Sequence, residues 1–504
     1  MTKNLTLVAT ALAATCMLAA CSSDEGAQVQ SASSETASAA ASSNVASGGE
    51  VQGEYDTGDY PTTYRTPFKE MTEFEGGNVS ESNNIANASI LGFEVDPELT
   101  ELSGARNLLS PSHTFSFLLS ETIDDLKALN SPFQSGYYTS SENSDKTKSL
   151  LNAIIRFESP EKAQAAAQTL HDSLLASEEG EGANSDLYAD DENYQPYTET
   201  ILEGKPNTLI AEKQKTDFND KSKVKTILGS ATTHNEFLLY NFTADLSGDA
   251  KAGKERINSY LDKQIPLLDT IATHKTDDGY GKLENWTTVD PEGLTRYAVQ
   301  TPEGFDYPSM LGGLNARGFA TTQINPEISF KTFDIAGIEN VGTWETSVLQ
   351  AKNADNAKVF QSAYIAGTKD YDYRDYDEPQ NLPDTSCVTR DEAMGGGFLE
   401  CVMVYEDKVA LGSQAFYKPY ESDSDSTDIN SAASTTSEKS KGKATNFEEA
   451  KKLLSQKMAA QLAVFKDAKE NPEGTKPKAA ASVEPNASEP DSATSETAVT
   501  TSKA

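Results

Sequence analysis

The apolar positions along the chain form a pattern that occurs twice. Residues 153–163 (AIIRFESPEKA) predict a buried strand, a turn and the start of a helix, and residues 347–357 (SVLQAKNADNA) predict the same succession. Ser159 and Asn353 stand at the two helix starts, where the side-chain oxygen of such a residue accepts a hydrogen bond from a free amide of the first turn. The chain therefore predicts an internal duplication.

Each half also ends in an amphipathic helix. Apolar residues recur at helical spacing across 257–271 and across 450–465, and Gln264 and Gln461 occupy matching places. Between the two helices of each half, alternating apolar and polar residues predict three antiparallel strands. The strands cover 208–213, 224–231 and 236–242 in the first half, and 387–390, 398–405 and 408–416 in the second half.

The order of these elements predicts the fold class. A further helix is expected ahead of each unit, at 114–129 and at 328–338. The chain is then an α+β protein with two related domains, at 54–279 and 280–468. Each domain is expected to hold a small antiparallel sheet with its helices packed on one face.

Three segments lack the composition of a packed fold. Hydrophobic residues make up 37% of the 504 residues, below the roughly 45–50% of an average globular chain. Residues 22–53, 421–445 and 469–504 contain no aromatic residue and are rich in Ser, Ala, Thr and Glu. Too few apolar groups are present there to offset the entropy of ordering, so we expect a disordered tether, a disordered insertion and a disordered acidic tail.

Residues 1–20 have the features of a signal peptide, because Lys3 precedes an apolar run that is too short to cross a bilayer. Residues 18–21 (LAAC) resemble the lipobox of bacterial lipoproteins, in which the cysteine thiol receives a diacylglyceryl group. We therefore expect Cys21 to carry acyl chains such as palmitate and to hold the tether, residues 21–53, on the extracytoplasmic face of the membrane. The alternative is an ordinary secretory leader in which Cys21 has no role.

Cys387 and Cys401 are expected to form a disulfide. They stand at the two ends of a 15-residue segment in which residues 395–397 (GGG) provide a chain reversal that brings adjacent strands together. An oxidising compartment outside the cytoplasm favours the bond. The alternative, a redox or metal role, needs a CxxC motif or a nearby histidine, and the four histidines lie far off in sequence.

Several phrases of the body resemble an uncharacterised family of lipoproteins from mycolic-acid-containing actinobacteria such as corynebacteria, nocardiae and mycobacteria. They are YDTGDYPT at 55–62, FEVDP at 93–97, QIPLLD at 264–269 and DPEGL at 290–294. The resemblance covers about residues 54–467, and the insertion and the tail look like additions to it. It implies a fold and a place in the cell envelope, and no activity.

The sequence contains no recognised catalytic or cofactor-binding motif. HExxH, GxGxxG, the Walker loop and GxSxG are absent, and we expect no cofactor. An SxxK pattern at 440–443 lies in the predicted insertion, where an active site cannot be preorganised. The formal net charge of −36 repels phosphate backbones, so nucleic acid is excluded as a partner.

The best sequence candidates for a site are two loops that follow the first helix of each repeat. Both mix carboxylates with tyrosines, at 186–194 and at 370–378, which suits Ca²⁺ or a cationic group. The carboxylates proposed to bind a cation are Asp186, Asp190, Asp191, Asp370, Asp372, Asp375 and Asp377. The EF-hand motif itself fails, since the sixth position is Asp375 instead of Gly; the alternative is a pair of solvated acidic loops.

These observations favour a non-enzymatic, membrane-anchored lipoprotein that binds or scaffolds other molecules in the cell envelope. Its partner is expected to be an envelope protein, a glycan or a lipid, and the cleft between the halves is the expected place for a ligand. One alternative is a hydrolase of envelope polymers that uses a carboxylate pair. Another is a lipoprotein that captures a solute for a transporter.

Overall fold

Two seven-stranded antiparallel sheets, one in each half of the chain, build the fold. The structure, a computed structural model, describes residues 55–68, 77–109, 133–176, 196–216, 222–272, 275–276, 279–280, 288–303, 311–391, 396–416 and 444–475. All of them belong to one compact unit that begins at Tyr55. The predicted leader, Cys21, the tether, the helix at 114–129, and most of the insertion and the tail lie outside the described residues.

The first domain contains the first sheet. Its elements in chain order are α1 (Gly77–Asn87), α2 (Gly92–Val95), β1 (Glu101–Leu108), β2 (Phe133–Glu142), β3 (Lys148–Phe157), α3 (Pro160–Ala176), β4 (Thr198–Thr200), β5 (Thr208–Thr216), β6 (Val224–His234), β7 (Phe237–Asp245) and α4 (Ala250–Leu268). A two-stranded hairpin, β8 (Lys275–Thr276) and β9 (Gly279–Tyr280), follows.

The second domain contains the second sheet. Its elements are a 3-10 turn (Thr295–Tyr297), β10 (Gly312–Asn315), α5 (Ala316–Ala320), α6 (Pro326–Ala336), β11 (Asn340–Thr343), β12 (Thr346–Gln350), α7 (Ala354–Thr368), a second 3-10 turn (Lys369–Tyr371), β13 (Arg374–Tyr376), β14 (Thr385–Asp391), β15 (Gly397–Tyr405), β16 (Lys408–Phe416) and α8 (Phe447–Glu470).

The two sheets have the same strand order, which confirms the α+β duplication. The order is β1-β2-β3-β7-β6-β5-β4 in the first sheet and β10-β11-β12-β16-β15-β14-β13 in the second. The predicted three-strand meander is β5 to β7 and β14 to β16, and the helix predicted at 328–338 is α6. Both predicted caps also form, since the Ser159 hydroxyl accepts from the Lys162 amide and the Asn353 amide oxygen accepts from the Asn356 amide.

The helices of each domain cover both faces of the sheet, whereas one face was expected. In the first domain Ala153 and Ile155 of β3 pack with α3, while Ile154, which points the other way, packs with α4. In the second domain α7 packs on one face and α8 on the other. The reason is that β3 and β7 are apolar at successive positions, so both of their faces need a cover.

The two domains meet through a shared hydrophobic core, so the cleft expected between them is filled. Ile257 of α4 contributes to this core from the first domain, and Phe333 of α6 and Phe360 of α7 contribute from the second. An ion pair between Arg317 and Glu94 also joins the domains.

Residues 55–68 pack on the second domain, although the predicted boundary placed them in the first. Tyr60 packs with Val299 and Ala460, and the Tyr64 amide donates to Asp467 Oδ2 at 2.7 Å. These contacts join the N-terminal segment to α8 and to the loop at Val299, both in the second domain. Residues 55–68 are thus held in place by α8, the last helix.

The predicted tail begins later than residue 469. Helix α8 continues through Glu470, and the Thr475 amide donates to the Tyr64 carbonyl at 2.7 Å. The segment 471–475 gains this backbone partner from the N-terminal segment, which composition alone does not reveal. Residues 476–504 lie outside the described part of the chain.

Gln264 and Gln461, which occupy matching places in the sequence, also have matching roles in the structure. Gln264 is fully buried in α4, where its side chain accepts from the Ile90 amide and donates to the Ala88 carbonyl. Gln461 is fully buried in α8 and donates to the Tyr297 carbonyl at 2.8 Å. In both domains the last helix uses a buried glutamine to fix a loop backbone that would otherwise lack a partner.

Candidate functional site

A cavity of about 310 Å³ lies in the second domain, on the face of the sheet that α7 covers. Its wall is formed by the loop at 322–325, by α6 and α7, by the 3-10 turn Lys369–Tyr371, and by the ends of β12, β15 and β16. This volume lies at the lower end of the roughly 300–1,000 Å³ found for ligand pockets. The cavity is therefore large enough for a small molecule.

The floor of the cavity begins where the sheet changes from apolar to polar. Val402 and Val404 point from β15 into the shared core, and strand alternation places Glu400 on the same face. Glu400 is paired across the sheet with Ser413 of β16. Both residues line the cavity, so a carboxylate and a hydroxyl stand beside the next cross-strand pair on this face, Val402 and Leu411, which is apolar.

Glu400 is held by two tyrosines. The hydroxyl of Tyr364 on α7 donates to one carboxylate oxygen at 3.3 Å, and the hydroxyl of Tyr373 donates to the other at 3.4 Å. Loss of water raises the pKa of Glu400, and the two hydrogen bonds and the charge of Arg390 offset part of that rise. The Arg390 guanidinium lies 5.1 Å from the centre of the Tyr373 ring.

A second carboxylate, Glu345, lines the other side of the cavity and is already neutralised. Its partner is the buried Lys457, whose ammonium lies 3.2 Å away. Burial lowers the pKa of Lys457, and the neighbouring Glu345 counteracts that effect. Lys457 also donates to the Ser413 carbonyl at 3.1 Å, which fixes its position beside the cavity.

The loop at 370–378 contributes tyrosines to the cavity instead of aspartates. Tyr371 and Tyr373 line the wall, and the Asn325 amide donates to the Tyr371 hydroxyl. The side chain of Asn325 also caps α6 by accepting from the Ile328 amide at 2.9 Å. The same asparagine therefore starts a helix and holds a ring of the cavity wall.

The aspartates predicted to bind a cation do not converge. Asp370, Asp372, Asp375 and Asp377 are exposed, and Asp375 forms an ion pair with Lys369 at 2.8 Å. Within the described residues no cluster of three or more His, Cys, Asp or Glu side chains is placed to hold a metal ion. The other predicted loop, with Asp186, Asp190 and Asp191, lies outside the described residues.

The predicted disulfide between Cys387 and Cys401 is present, and it braces the strand that carries Glu400. The two cysteines are directly opposite each other in β14 and β15, and both are buried. The Tyr376 hydroxyl lies 3.3 Å from the Cys401 sulfur. Closing a loop of about 15 residues contributes on the order of 3 kcal/mol in the chain-entropy model, which is a stabilising role.

Sequence reasoning missed Glu400, although a signal for it exists. Strand β15 reads GFLECVMVY, in which Glu400 is the only charged residue. It shares its alternation with Val402 and Val404, so a carboxylate stands in an otherwise apolar stripe. The prediction instead followed the density of aspartates, which are exposed.

Comparison with known protein families matches two regions of the chain. Residues 68–281 match a model described as "Domain of unknown function (DUF7373) N-terminal", and residues 295–413 match "Domain of unknown function (DUF7373) C-terminal". Together they span about two thirds of the chain. The chain belongs to the DUF7373 family. Every residue that lines the cavity falls within the C-terminal DUF7373 region.

Other comparisons add little to the DUF7373 assignment. No curated protein matches the chain. Among solved structures, the extracellular domain of PknH from Mycobacterium tuberculosis matches with 12% sequence identity and a TM-score of 0.26. The match covers 36% of this chain and 95% of that chain. At that score the likeness carries no argument about this protein.

The equivalent place in the N-terminal DUF7373 domain is packed. Gly229 of β6 is paired with Phe242, as Glu400 is paired with Ser413, and both stand five positions before the last paired residue of their strand. A Cβ atom at Gly229 would lie 2.5 Å from Leu174 Cδ2 and 2.9 Å from a ring carbon of Phe242. Side chains thus fill the space that is open in the other domain.

Proposed function

We propose that this protein is a lipid-anchored, extracytoplasmic module of the cell envelope that binds a small molecule in the cavity beside Glu400. The observation that carries the proposal is the cavity itself, because it combines a half-buried carboxylate with two tyrosines that orient it. Ligand sites are concave and contain a few placed polar groups. At the matching place in the first domain a glycine, Gly229, stands instead of the carboxylate, and Leu174 and Phe242 occupy the space beside it.

The proposed location rests on Cys21 and on the disulfide. The lipobox-like residues 18–21 suit acylation, and a buried disulfide between Cys387 and Cys401 suits an oxidising compartment. The resemblance to actinobacterial envelope lipoproteins supports the same location. None of the described helices is long and apolar enough to cross a membrane.

Fractionation of cells tests the anchor. The wild type should stay with washed membranes, and Cys21→Ser should appear in the soluble fraction, since a cysteine thiol is the only group in the lipobox that can accept the lipid. Cys16→Ser is the matched control, because Cys16 lies inside the leader, and it should leave the anchor in place. Membrane retention of Cys21→Ser contradicts the anchor.

Filling the cavity tests the binding role. The double variant Ser413→Phe/Thr368→Leu places in the second domain the side-chain types found at the equivalent positions Phe242 and Leu174 of the first. In ligand-detected NMR with a soluble fragment library, the wild type should bind fragments and the double variant should not. Ser362→Phe, the same change on the exposed side of α7, should retain binding. Absence of any bound fragment in the wild type contradicts the proposal.

A hydrolase of envelope polymers is the second candidate, and the raised pKa of Glu400 favours it. A carboxylic acid that keeps its proton to a higher pH is suited to protonate a leaving group. The second carboxylate required is Glu345, which is already paired with Lys457. Release of reducing ends from purified cell-wall polysaccharide by the wild type, and its loss in Glu400→Gln, would establish this activity; no release by the wild type excludes it.

A further inference from the structure

We propose that the cavity selects a small molecule with a primary ammonium or guanidinium group, which binds the Glu400 carboxylate between the hydroxyls of Tyr364 and Tyr373. This inference rests on the proposed binding function and adds the chemical class of the ligand. Three observations support it: the charges that line the cavity, the unpaired state of Glu400, and the rings around it.

The first observation concerns charge. Glu345 and Glu400 line the cavity, and among the described residues no Lys, Arg or His side chain does so. Two cations lie behind this wall: Lys457 pairs with Glu345, and Arg390 lies over the rings of Tyr373 and Phe398. An anionic ligand would therefore meet two carboxylates and no cation in the described wall of the cavity. The net charge of −36 adds a long-range attraction for cations and a repulsion for anions.

The second observation is that Glu400 has no ion-pair partner within 4 Å among the described residues. Within the described part of the chain, its hydrogen-bond donors are the Tyr364 and Tyr373 hydroxyls, at 3.3 and 3.4 Å. A carboxylate offers about four acceptor positions, so this one can accept further donors from a ligand. A charged N–H donor forms a bond roughly twice as strong as a neutral hydroxyl does, which creates the preference.

The third observation is the chemistry of the remaining wall. The aromatic side chains of Phe319, Trp344, Tyr364, Tyr371 and Tyr373 line the cavity. Aromatic rings attract a cation through their quadrupole and also accept an apolar ligand body. The site therefore suits a compact molecule with one cationic group at Glu400 and a body that packs on rings.

Glu400 is distinguished from the exposed carboxylates by this setting. Asp375 belongs to the same domain, 25 residues earlier in the sequence, but it is exposed and forms an ion pair with Lys369. Asp375→Asn and Glu400→Gln each remove one negative charge. A general electrostatic effect acts on both, whereas specific recognition acts on Glu400 alone.

Calorimetry with three probes of one shape tests the inference at neutral pH. The probes are benzylamine, benzyl alcohol and benzoate, which are cationic, neutral and anionic. The wild type should bind benzylamine about tenfold more tightly than benzyl alcohol, and benzoate least. Glu400→Gln, which keeps the shape of the side chain, should bring benzylamine and benzyl alcohol to within about threefold of each other. Asp375→Asn should keep the wild-type preference.

The outcomes separate this inference from the proposed function. If benzyl alcohol or benzoate binds the wild type as tightly as benzylamine, the cavity binds ligands and the cationic class is wrong. The class is also wrong if Glu400→Gln keeps the preference. If none of the three probes and no fragment binds the wild type, the proposed binding function itself fails. Circular dichroism of each variant confirms that the fold is retained.

Discussion

The two domains share a framework, but the packing beside Gly229 in the first differs from the packing beside Glu400 in the second. Lys213 lies 4.4 Å from the Tyr197 ring in the first domain, and Arg390 lies 5.1 Å from the Tyr373 ring at the equivalent position of the second. The strand order is also the same. Next to these contacts between a cation and a ring, side chains fill the space in the first domain, whereas the second domain has a cavity. The duplicated fold therefore keeps one strand order in both copies while the packing at this place differs between them.

Three pairs of positions account for the difference. In the first domain Phe242 and Leu174 fill the space beside Gly229, and the equivalent positions in the second are Ser413, Thr368 and Glu400. Smaller polar residues thus replace Phe242 and Leu174, and a carboxylate replaces the glycine. Such replacements lower stability, since they forfeit packing contacts and desolvate a carboxylate. Their presence in the second domain is what a binding site requires.

Placing a carboxylate in the packed domain should have the largest effect. Gly229→Glu forces a charged side chain against Leu174 and Phe242, where a Cβ atom alone already lies 2.5 Å from Leu174 Cδ2. We expect a loss of about 4 kcal/mol in the free energy of unfolding, because the charge would be buried without a partner. Urea denaturation measures it. Ala165→Glu, on the exposed side of α3, is the control and should stay within about 0.5 kcal/mol. A Gly229→Glu variant as stable as this control would show that the first domain is not packed at this place.

Removing the disulfide should have the second-largest effect on stability, and this effect should be confined to the second domain. The only cysteines of the body, Cys387 and Cys401, are in the second domain, so reduction acts there alone. We expect Cys387→Ala/Cys401→Ala to destabilise the second domain by about 3 kcal/mol. Fluorescence of Trp344, in a Trp286→Phe background, follows the unfolding of that domain. An unchanged urea midpoint for Trp344 would show that the bond does not brace β15.

Replacing Glu400 should have the smallest effect on stability, and the effect should depend on pH. Because the pKa of Glu400 is raised in the folded protein, the folded state keeps this proton to a higher pH than the unfolded chain does. Its contribution to stability is complete below the ordinary glutamate pKa of about 4.3 and is lost as pH rises through the folded pKa. Glu400→Gln should therefore match the wild type at low pH and exceed it at neutral pH, by on the order of 1 kcal/mol.

Thermal and urea unfolding from acidic to neutral pH measure the Glu400 effect. Asp375→Asn removes one exposed carboxylate and should differ from the wild type by at most about 0.5 kcal/mol at each pH. If Glu400→Gln is the less stable protein at neutral pH, the carboxylate is a structural part of the fold and not a group held ready for a ligand.

The elements with strong local signals could be predicted from the sequence. Ser159 and Asn353 mark helix starts because they cap free amides, and the meander strands alternate clearly. Strands β1, β2 and β10 were missed because polar residues and glycines interrupt their apolar positions, and their pairing partners determine them more than their own pattern does. The position of residues 55–68 depends on contacts with α8, more than 390 residues later in the chain, which no local pattern encodes.

The site was less predictable than the fold. A loop rich in aspartates attracts attention in sequence, yet its tyrosines are the residues that reach the cavity. Glu400 could be found only by asking why a carboxylate interrupts an apolar face of β15. The cavity itself exists because Thr368 and Ser413 have smaller side chains than the equivalent residues of the first domain. Identifying those equivalent residues requires the register of both sheets.

The most direct test of the account is a crystal structure of the protein soaked with benzylamine. We expect electron density for the amine inside the second domain, with its nitrogen within hydrogen-bond distance of Glu400 and its ring against Tyr364 or Tyr373. Gly229 and Phe242 should remain in contact with Leu174 in the first domain. An amine bound elsewhere with the second domain's cavity closed by side chains would contradict the central claim that the two domains differ by one ligand site.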